Sequence, residues 1–265
     1  MPELPDVEAF RRVFAGNGLG RRVSGLDLRA EEMLRGAGRD DLARALTGRT
    51  FEDGRRHGKI LFLRAGDGPW VVLHFGMTGA LVCCTAEEEL PPHARLVICL
   101  EGDGLLAFDN QRKFGWIELT DDIGAYLEAN EVGPDVLELD RDGFAGIVGA
   151  TRGAVKPALM DQSKLAGIGN VYSDEILFRA RIGPEVQGNA LSDDQLSTLY
   201  RTTREVLREA ADILAEGRAF PDDWLVRHRE AGDTCPRCGT ALEKREVSGR
   251  SAWLCPACQG GGQAA

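Results

Sequence analysis

The chain has 265 residues, a net charge of −10 and a sequence pI near 5.0, which allows one large domain or two ordinary ones and gives no overall basic excess for a nucleic-acid partner. At 43% hydrophobic and 28% charged its composition is that of a globular protein. No apolar run approaches the roughly 18 residues of a membrane helix, and the acidic, proline-containing start is not a secretory signal, so a cytoplasmic protein is expected.

The charge is uneven. Residues 1–64 carry 13 Lys/Arg against 10 Asp/Glu, whereas residues 65–150 carry 4 against 16. Because salt screens fields over roughly 8 Å, an acidic protein still presents a basic face locally, and the acidic run reads as a solvated surface. Of seven cysteines, Cys83, Cys84 and Cys99 lie in apolar stretches and read as small core residues.

The first element predicted is a short amphipathic helix over 7–16, with Val7, Phe10, Val13 and Phe14 on one face and Gly16 as its stop. From about 22 to 119 follow short apolar runs: TFEDGRR, KILFLRA, WVVLHFG, GALVCCT, ARLVICL, LLAFDN and WIELT. Gly, Asp, Pro and Asn separate them, the rhythm of an antiparallel sandwich or barrel. Beyond EVGPDVL the pattern turns helical, in KPALMDQSKL, NVYSDEILFRARI and a long helix opened by Ser192 and closed at Gly217.

These readings give an α+β chain: an N-terminal antiparallel β-sandwich with flanking helices over 1–133, a helical domain over 134–217, a third unit over 218–260, and a disordered tail at 261–265.

Two motifs carry chemistry on spacing alone. Cys235, Cys238, Cys255 and Cys258 form two CxxC knuckles 16 residues apart, the pattern of a tetrahedral zinc ribbon. Four thiolates leave no open coordination position, so one structural zinc is expected. Lys244, Arg245 and Arg250 lie between the knuckles; a hairpin displaying cations suits phosphate, while Lys244 and Arg245 read better as a solvated face. Gly167, Gly169 and Asn170 precede a helix, where free N–H groups attract an anion and Asn170 is a candidate cap; a plain helix–turn–helix bend shows the same residues.

Taken together, PELPDVE, RRHGK, HFGMTG, NQRKFG, KPALMDQ…GIGN and the ribbon, in that order, resemble the formamidopyrimidine-DNA glycosylase / endonuclease VIII family of base-excision repair enzymes. The resemblance spans residue 2 to about 259. It implies a β-sandwich, a helix–two-turn–helix module and a zinc ribbon. It also implies a monomer that acts on double-stranded DNA holding damaged bases or abasic sites.

The resemblance assigns roles. Pro2, exposed once Met1 is removed, becomes a secondary amine that attacks C1′ of the damaged nucleoside. Glu3 opens the sugar ring and shuttles protons. Asp6 stands where relatives commonly carry Glu, one methylene shorter. Lys59 holds phosphate near the lesion, with Arg56 assisting and His57 filling the turn. Met77, Arg112 and Phe114 occupy the space an extruded base leaves, and Lys113 binds phosphate. Asn170 and Arg250 grip the flanking phosphates, and Lys156 and Glu175 lie near the active site, Lys156 as a DNA contact.

Two signs of lesion preference disagree. PELP points to the formamidopyrimidine/8-oxoguanine branch, whereas residues 218–234 are too short for the loop that caps a flipped 8-oxoguanine in that branch. An endonuclease VIII-like enzyme for oxidised pyrimidines or abasic sites, and a non-catalytic damaged-DNA-binding zinc protein, are the alternatives.

Overall fold

The computed structural model describes residues 1–260; the expected tail at 261–265 lies outside the described residues. The chain divides into two compact units, Met1–Glu131 and the remainder from Val132.

The first unit runs α1 (Leu4–Asn17), β1 (Val23–Leu28), β2 (Leu34–Arg35), α2 (Arg39–Leu46), β3 (Phe51–His57), β4 (Ile60–Ala65), β5 (Trp70–His74), β6 (Gly79–Cys84), β7 (Ala94–Leu100), β8 (Gly104–Asn110), β9 (Trp116–Thr120) and α3 (Ile123–Ala129). Two sheets, ordered β1-β7-β8-β6 and β2-β9-β5-β4-β3, enclose the core. All seven predicted runs are strands. The sandwich departs from pure antiparallel order at one edge, where β2 pairs parallel with β9 through Leu34 and Ile117. The apolar pattern of 22–119 also hid α2, whose Leu42, Ala45 and Leu46 enter the core.

Helix α1 begins three residues earlier than its apolar periodicity suggests. Pro5 costs no hydrogen bond in a first turn, whose N–H groups lack helical partners anyway. The helix passes Gly16 and ends against Gly18, whose N–H donates to the Phe14 carbonyl at 2.7 Å. Phe14 is buried between the sheets, edge-on to Phe51 at 5.0 Å, and rests on Gly54, where a Cβ would lie 2.5 Å from its ring. Truncating such a ring costs about 3–5 kcal/mol. Cys84 is buried and Cys83 and Cys99 are partly so.

The second unit runs α4 (Arg141–Gly149), α5 (Val155–Met160), α6 (Asn170–Ala180), α7 (Asp193–Ala215), β10 (Glu243–Val247), β11 (Arg250–Leu254) and α8 (Pro256–Gln259). Ser192 caps α7, accepting from the Gln195 N–H at 3.3 Å, and Gly217 follows the helix with φ 63°. Helix α5 stops at Met160, so QSKL is turn rather than helix. The Gln162 side chain closes that turn: its Nε2 donates to the Met160 and Ile168 carbonyls at 2.7 and 2.8 Å, and its Oε1 accepts from the Gly167 N–H at 3.1 Å. Among the described residues no helix is long and apolar enough to cross a membrane.

Candidate active site and nucleic-acid interface

The first turn of α1 turns the N-terminal motif inward. Glu3 is only 2% exposed and Pro2 is half-buried. The Glu3 N–H donates to Asp6 Oδ2 at 2.9 Å, so the short aspartate reaches the position that closes the helix start. Burial pushes the Asp6 carboxyl up, while the Glu3 N–H, the chain's terminal ammonium and Lys59 pull it down. Terminal amine, Asp6 and Lys59 therefore share one electrostatic neighbourhood.

Lys59 owes its place to a two-residue hairpin turn. His57 pairs with Ile60, and Gly58 takes φ 55°, a left-handed angle that glycine supplies without steric cost. Arg56 braces the turn from below. Its Nη1 donates to the Gly58 carbonyl at 3.2 Å and its Nε faces Glu8 Oε2 of α1 at 3.4 Å. Burial would raise the Glu8 carboxyl, but Arg11, Arg12 and Arg56 together hold it below the usual range. This Glu8–Arg56 brace was not read from the sequence, because its partners are 48 positions apart in numbering and share no motif.

Met77 and Phe114 are 42% and 54% exposed, two of the few large apolar side chains left in solvent. They project from two turns, residues 75–79 and 110–115, that are in backbone contact. A Cβ at Gly76 would lie 2.4 Å from the Phe114 carbonyl carbon, and one at Gly115 2.2 Å from the His74 oxygen. The Arg112 guanidinium lies over the Phe114 ring at 4.8 Å, and the Arg112 backbone N–H donates to Thr78 Oγ1 at 3.2 Å. Lys113 is exposed and pairs with Glu32.

At the roots of the two turns His74 stacks on Trp116, 3.6 Å apart and 11° from parallel, and the Arg35 guanidinium lies 3.8 Å from the Trp116 ring. His74 Nδ1 accepts the Gly76 N–H at 3.2 Å. Burial first, then Arg35 and Lys59, lower its pKa from 6.5 to about 4, so the ring is neutral and able to accept.

In the second unit the glycine turn enters α6 with Gly169, not Asn170, as the capping residue; Asn170 is the first helical position. Its Nδ2 donates to Ser251 Oγ of β11 at 3.4 Å. Arg250, next to Ser251, is exposed and follows a two-residue turn in which Ser248 and Gly249 have φ 49° and 75°, the type I′ pattern.

Lys156 corrects an expectation. Its side chain is 0% exposed and its ammonium bonds to Asp174 and, at 3.4 Å, to the Asn170 carbonyl, so it is turned into the fold rather than toward DNA. Asp174 is the hub. It also takes Arg229 Nη2 at 3.1 Å and the Trp253 N–H at 3.2 Å, joining α5, α6, the 218–234 segment and β11. Glu175, likewise buried, accepts from Arg179 Nε at 2.9 Å and from the Val226 N–H at 3.0 Å, so it anchors the same segment.

The four ribbon sulfurs all lie within 4.8 Å of one another, with separations of 3.9 Å for Cys235–Cys258 and 3.5 Å for Cys238–Cys255. Zn–S bonds of about 2.3 Å in a tetrahedron require sulfur separations of about 3.8 Å, so the residues fit one closed zinc site. The ribbon packs Cys235, Leu242, Trp253 and Cys255 onto Phe178 of α6, which ties the metal site to the helix carrying Asn170.

Comparison with known proteins agrees with this arrangement. Residues 1–117 match the formamidopyrimidine-DNA glycosylase N-terminal domain, 132–221 the formamidopyrimidine-DNA glycosylase H2TH domain, and 232–260 the zinc finger found in FPG and IleRS. The formamidopyrimidine-DNA glycosylase of Pelotomaculum thermopropionicum is 31% identical over 98% of this chain and 99% of its own, and that of Geobacter sulfurreducens 34% over 98% and 100%. The solved structure of Lactococcus lactis Fpg (MutM) with DNA containing N7-benzyl-Fapy-dG superposes with a TM-score of 0.84 at 29% identity, covering 97% of this chain and 99% of that one. MutM in complex with carbocyclic 8-oxo-G DNA gives 0.85 at 29%, with the same coverage. The chain belongs to the formamidopyrimidine-DNA glycosylase family of base-excision repair enzymes, and it is a zinc protein of that family.

Proposed function

We propose that this chain excises oxidised bases from duplex DNA and then cleaves the strand, with Pro2 as nucleophile once Met1 has been removed. The observation that carries the reading is the buried Glu3 carboxyl directly after the prolyl nitrogen, in a helix start fixed by Asp6 and neighboured by Lys59.

A terminal α-amine ordinarily titrates at about 7.7–8.0, so a neutral fraction exists near pH 7. The prolyl lone pair attacks C1′, the C1′–base bond breaks, and the base leaves with its electron pair and takes up a proton. Glu3 protonates O4′ as the sugar opens, and the nitrogen, having lost its own proton, is left as a cationic iminium. That cation draws electrons from C2′–H. Loss of this proton expels the 3′ phosphate oxygen by β-elimination, which nicks the strand, and a second elimination at C5′ follows the same logic. Lys59 holds the adjacent phosphate; Asn170 and Arg250 hold the flanking ones. Phe114, Met77 and Arg112 fill the vacated stack.

The 218–234 segment bears on the lesion. Trp224 and Leu225 are buried, and Val226 and Arg229 are bonded to Glu175 and Asp174, so the segment is committed to α6 instead of forming a free cap. Formamidopyrimidines and abasic sites are therefore the preferred substrates, ahead of 8-oxoguanine. One labelled duplex each with formamidopyrimidine, 8-oxoguanine, thymine glycol, 5-hydroxyuracil and an abasic site tests this. Fastest nicking on thymine glycol, or none on any lesion, contradicts it.

A further inference from the structure

We propose that Asn110 is a positioning residue, one whose buried amide locks the 75–79 turn onto the 110–115 turn and so sets the spacing of Met77, Arg112 and Phe114. Asn110 ends β8 and is completely buried. Its main chain is held from one side: the N–H donates to the His93 carbonyl at 3.0 Å, and its carbonyl accepts Arg95 Nε at 3.0 Å and the Lys113 N–H at 3.4 Å. Its side chain reaches the other way, Nδ2 donating to the Phe75 carbonyl at 3.0 Å. That carbonyl also accepts the Gly79 N–H at 2.9 Å, the bond that closes the 75–79 turn.

The amide sits in a slot made by missing side chains. A Cβ at Gly115 would lie 2.5 Å from Asn110 Nδ2, and one at Gly79 2.9 Å from it. Both are closer than contact allows, so the slot has room for this amide and nothing larger. Asn110 Oδ1 has no hydrogen-bond partner among the described residues, so the side chain acts through one donated bond. Removing it leaves Phe75 with the Gly79 bond, which preserves the turn but loosens its hold on its neighbour. The Thr78–Arg112 bond lies near the tips, and the His74–Trp116 stack lies at the roots. Between them Asn110 adds a buried side-chain bond to the close packing of Gly76 on Phe114.

This inference rests on the proposed function, and substrate form separates the two. Base extrusion from a duplex needs the wedge side chains in register, whereas an abasic sugar in a single strand has no stack to open. The test is the borohydride-trapping rate of full-length protein on an abasic duplex and on the same strand unpaired. Asn110→Ala is expected to slow duplex trapping roughly ten- to a hundred-fold and single-strand trapping less than about two-fold. Asn110→Asp, which sets an oxygen against the Phe75 carbonyl, is expected to show the same split. Phe114→Ala added to Asn110→Ala should lower the duplex rate little further, since both act on one unit. Equal losses on both substrates, or undiminished duplex trapping, in the two Asn110 variants overturns the inference. A wild-type protein that traps on neither substrate overturns the proposed function itself.

Discussion

The two units secure their DNA-facing candidates by opposite means. In the first, the turns bearing Met77, Arg112 and Phe114 are held chiefly by neutral contacts: three glycines without side chains, one amide, and a histidine stacked on a tryptophan, with charged groups at the exposed margin. In the second, Asn170 and Arg250 are held by buried charge and metal, through Lys156–Asp174–Arg229 and the four cysteines. Neutral packing is insensitive to chelators and loses little when one exposed member is cut. Buried charge fails sharply when one partner goes, because the other is left ionised in a poor solvent.

Metal removal should break the contrast most visibly. Structural zinc contributes apparent free energies of about 10–16 kcal/mol in zinc-finger peptides. Stripping zinc with a strong chelator should expose the ribbon to proteolysis and raise the solvent accessibility of Trp253, while the first unit keeps its melt. A ribbon that stays protease-resistant without metal would contradict the closed tetrahedral site.

Asp174→Ala should destabilise the second unit by about 3–5 kcal/mol, since it removes the buried carboxylate that faces both Lys156 and Arg229. Denaturant melts followed by Trp253 fluorescence measure it. A loss under about 1 kcal/mol would mean that the hub contributes no more than a surface pair.

The first unit should carry its own pH signature. His74 is depressed to about 4 in the folded chain against an ordinary 6.5, so its contribution is present above 6.5 and lost as pH falls through about 4. The full swing is about 3 kcal/mol. Urea melts of wild type and His74→Gln at pH 7 and pH 4 read it: the stability gap between them should shrink on acidification. A gap constant with pH would mean that His74 titrates alike in the folded and the unfolded chain.

Phe114→Ala should have the smallest effect on stability, within about 0.5 kcal/mol, because the ring is already in solvent. A large loss would show the ring to be part of the fold and not a side chain held in reserve for DNA.

Much of this was legible before any coordinates. The seven strand runs, the long capped helix and the ribbon spacing each follow local rules that read along the chain, and the N-terminal PELPD motif marked the candidate site. What escaped were contacts between distant positions. Glu8–Arg56, Asp174–Arg229 and Asn110–Phe75 join residues that no period or motif relates. Lys156 lay within a motif, but motif position says nothing about which way a side chain turns, and here it turns inward to Asp174. Helix α2 was missed because RDDLARAL carries only a narrow apolar face in a stretch dominated by strand-like runs. Gly76 of GMTG and Gly115 of KFG did carry a signal for the paired turns, since each sits where a side chain would strike the opposite backbone.

The central claim is that the prolyl nitrogen bonds covalently to the sugar. Borohydride reduction of the protein on an abasic duplex, followed by peptide mapping in a mass spectrometer, tests it most directly. The account predicts a sugar remnant on a peptide that begins at Pro2, with Met1 gone. A remnant on Lys59 or any other residue, or full trapping by protein that retains Met1, would contradict it.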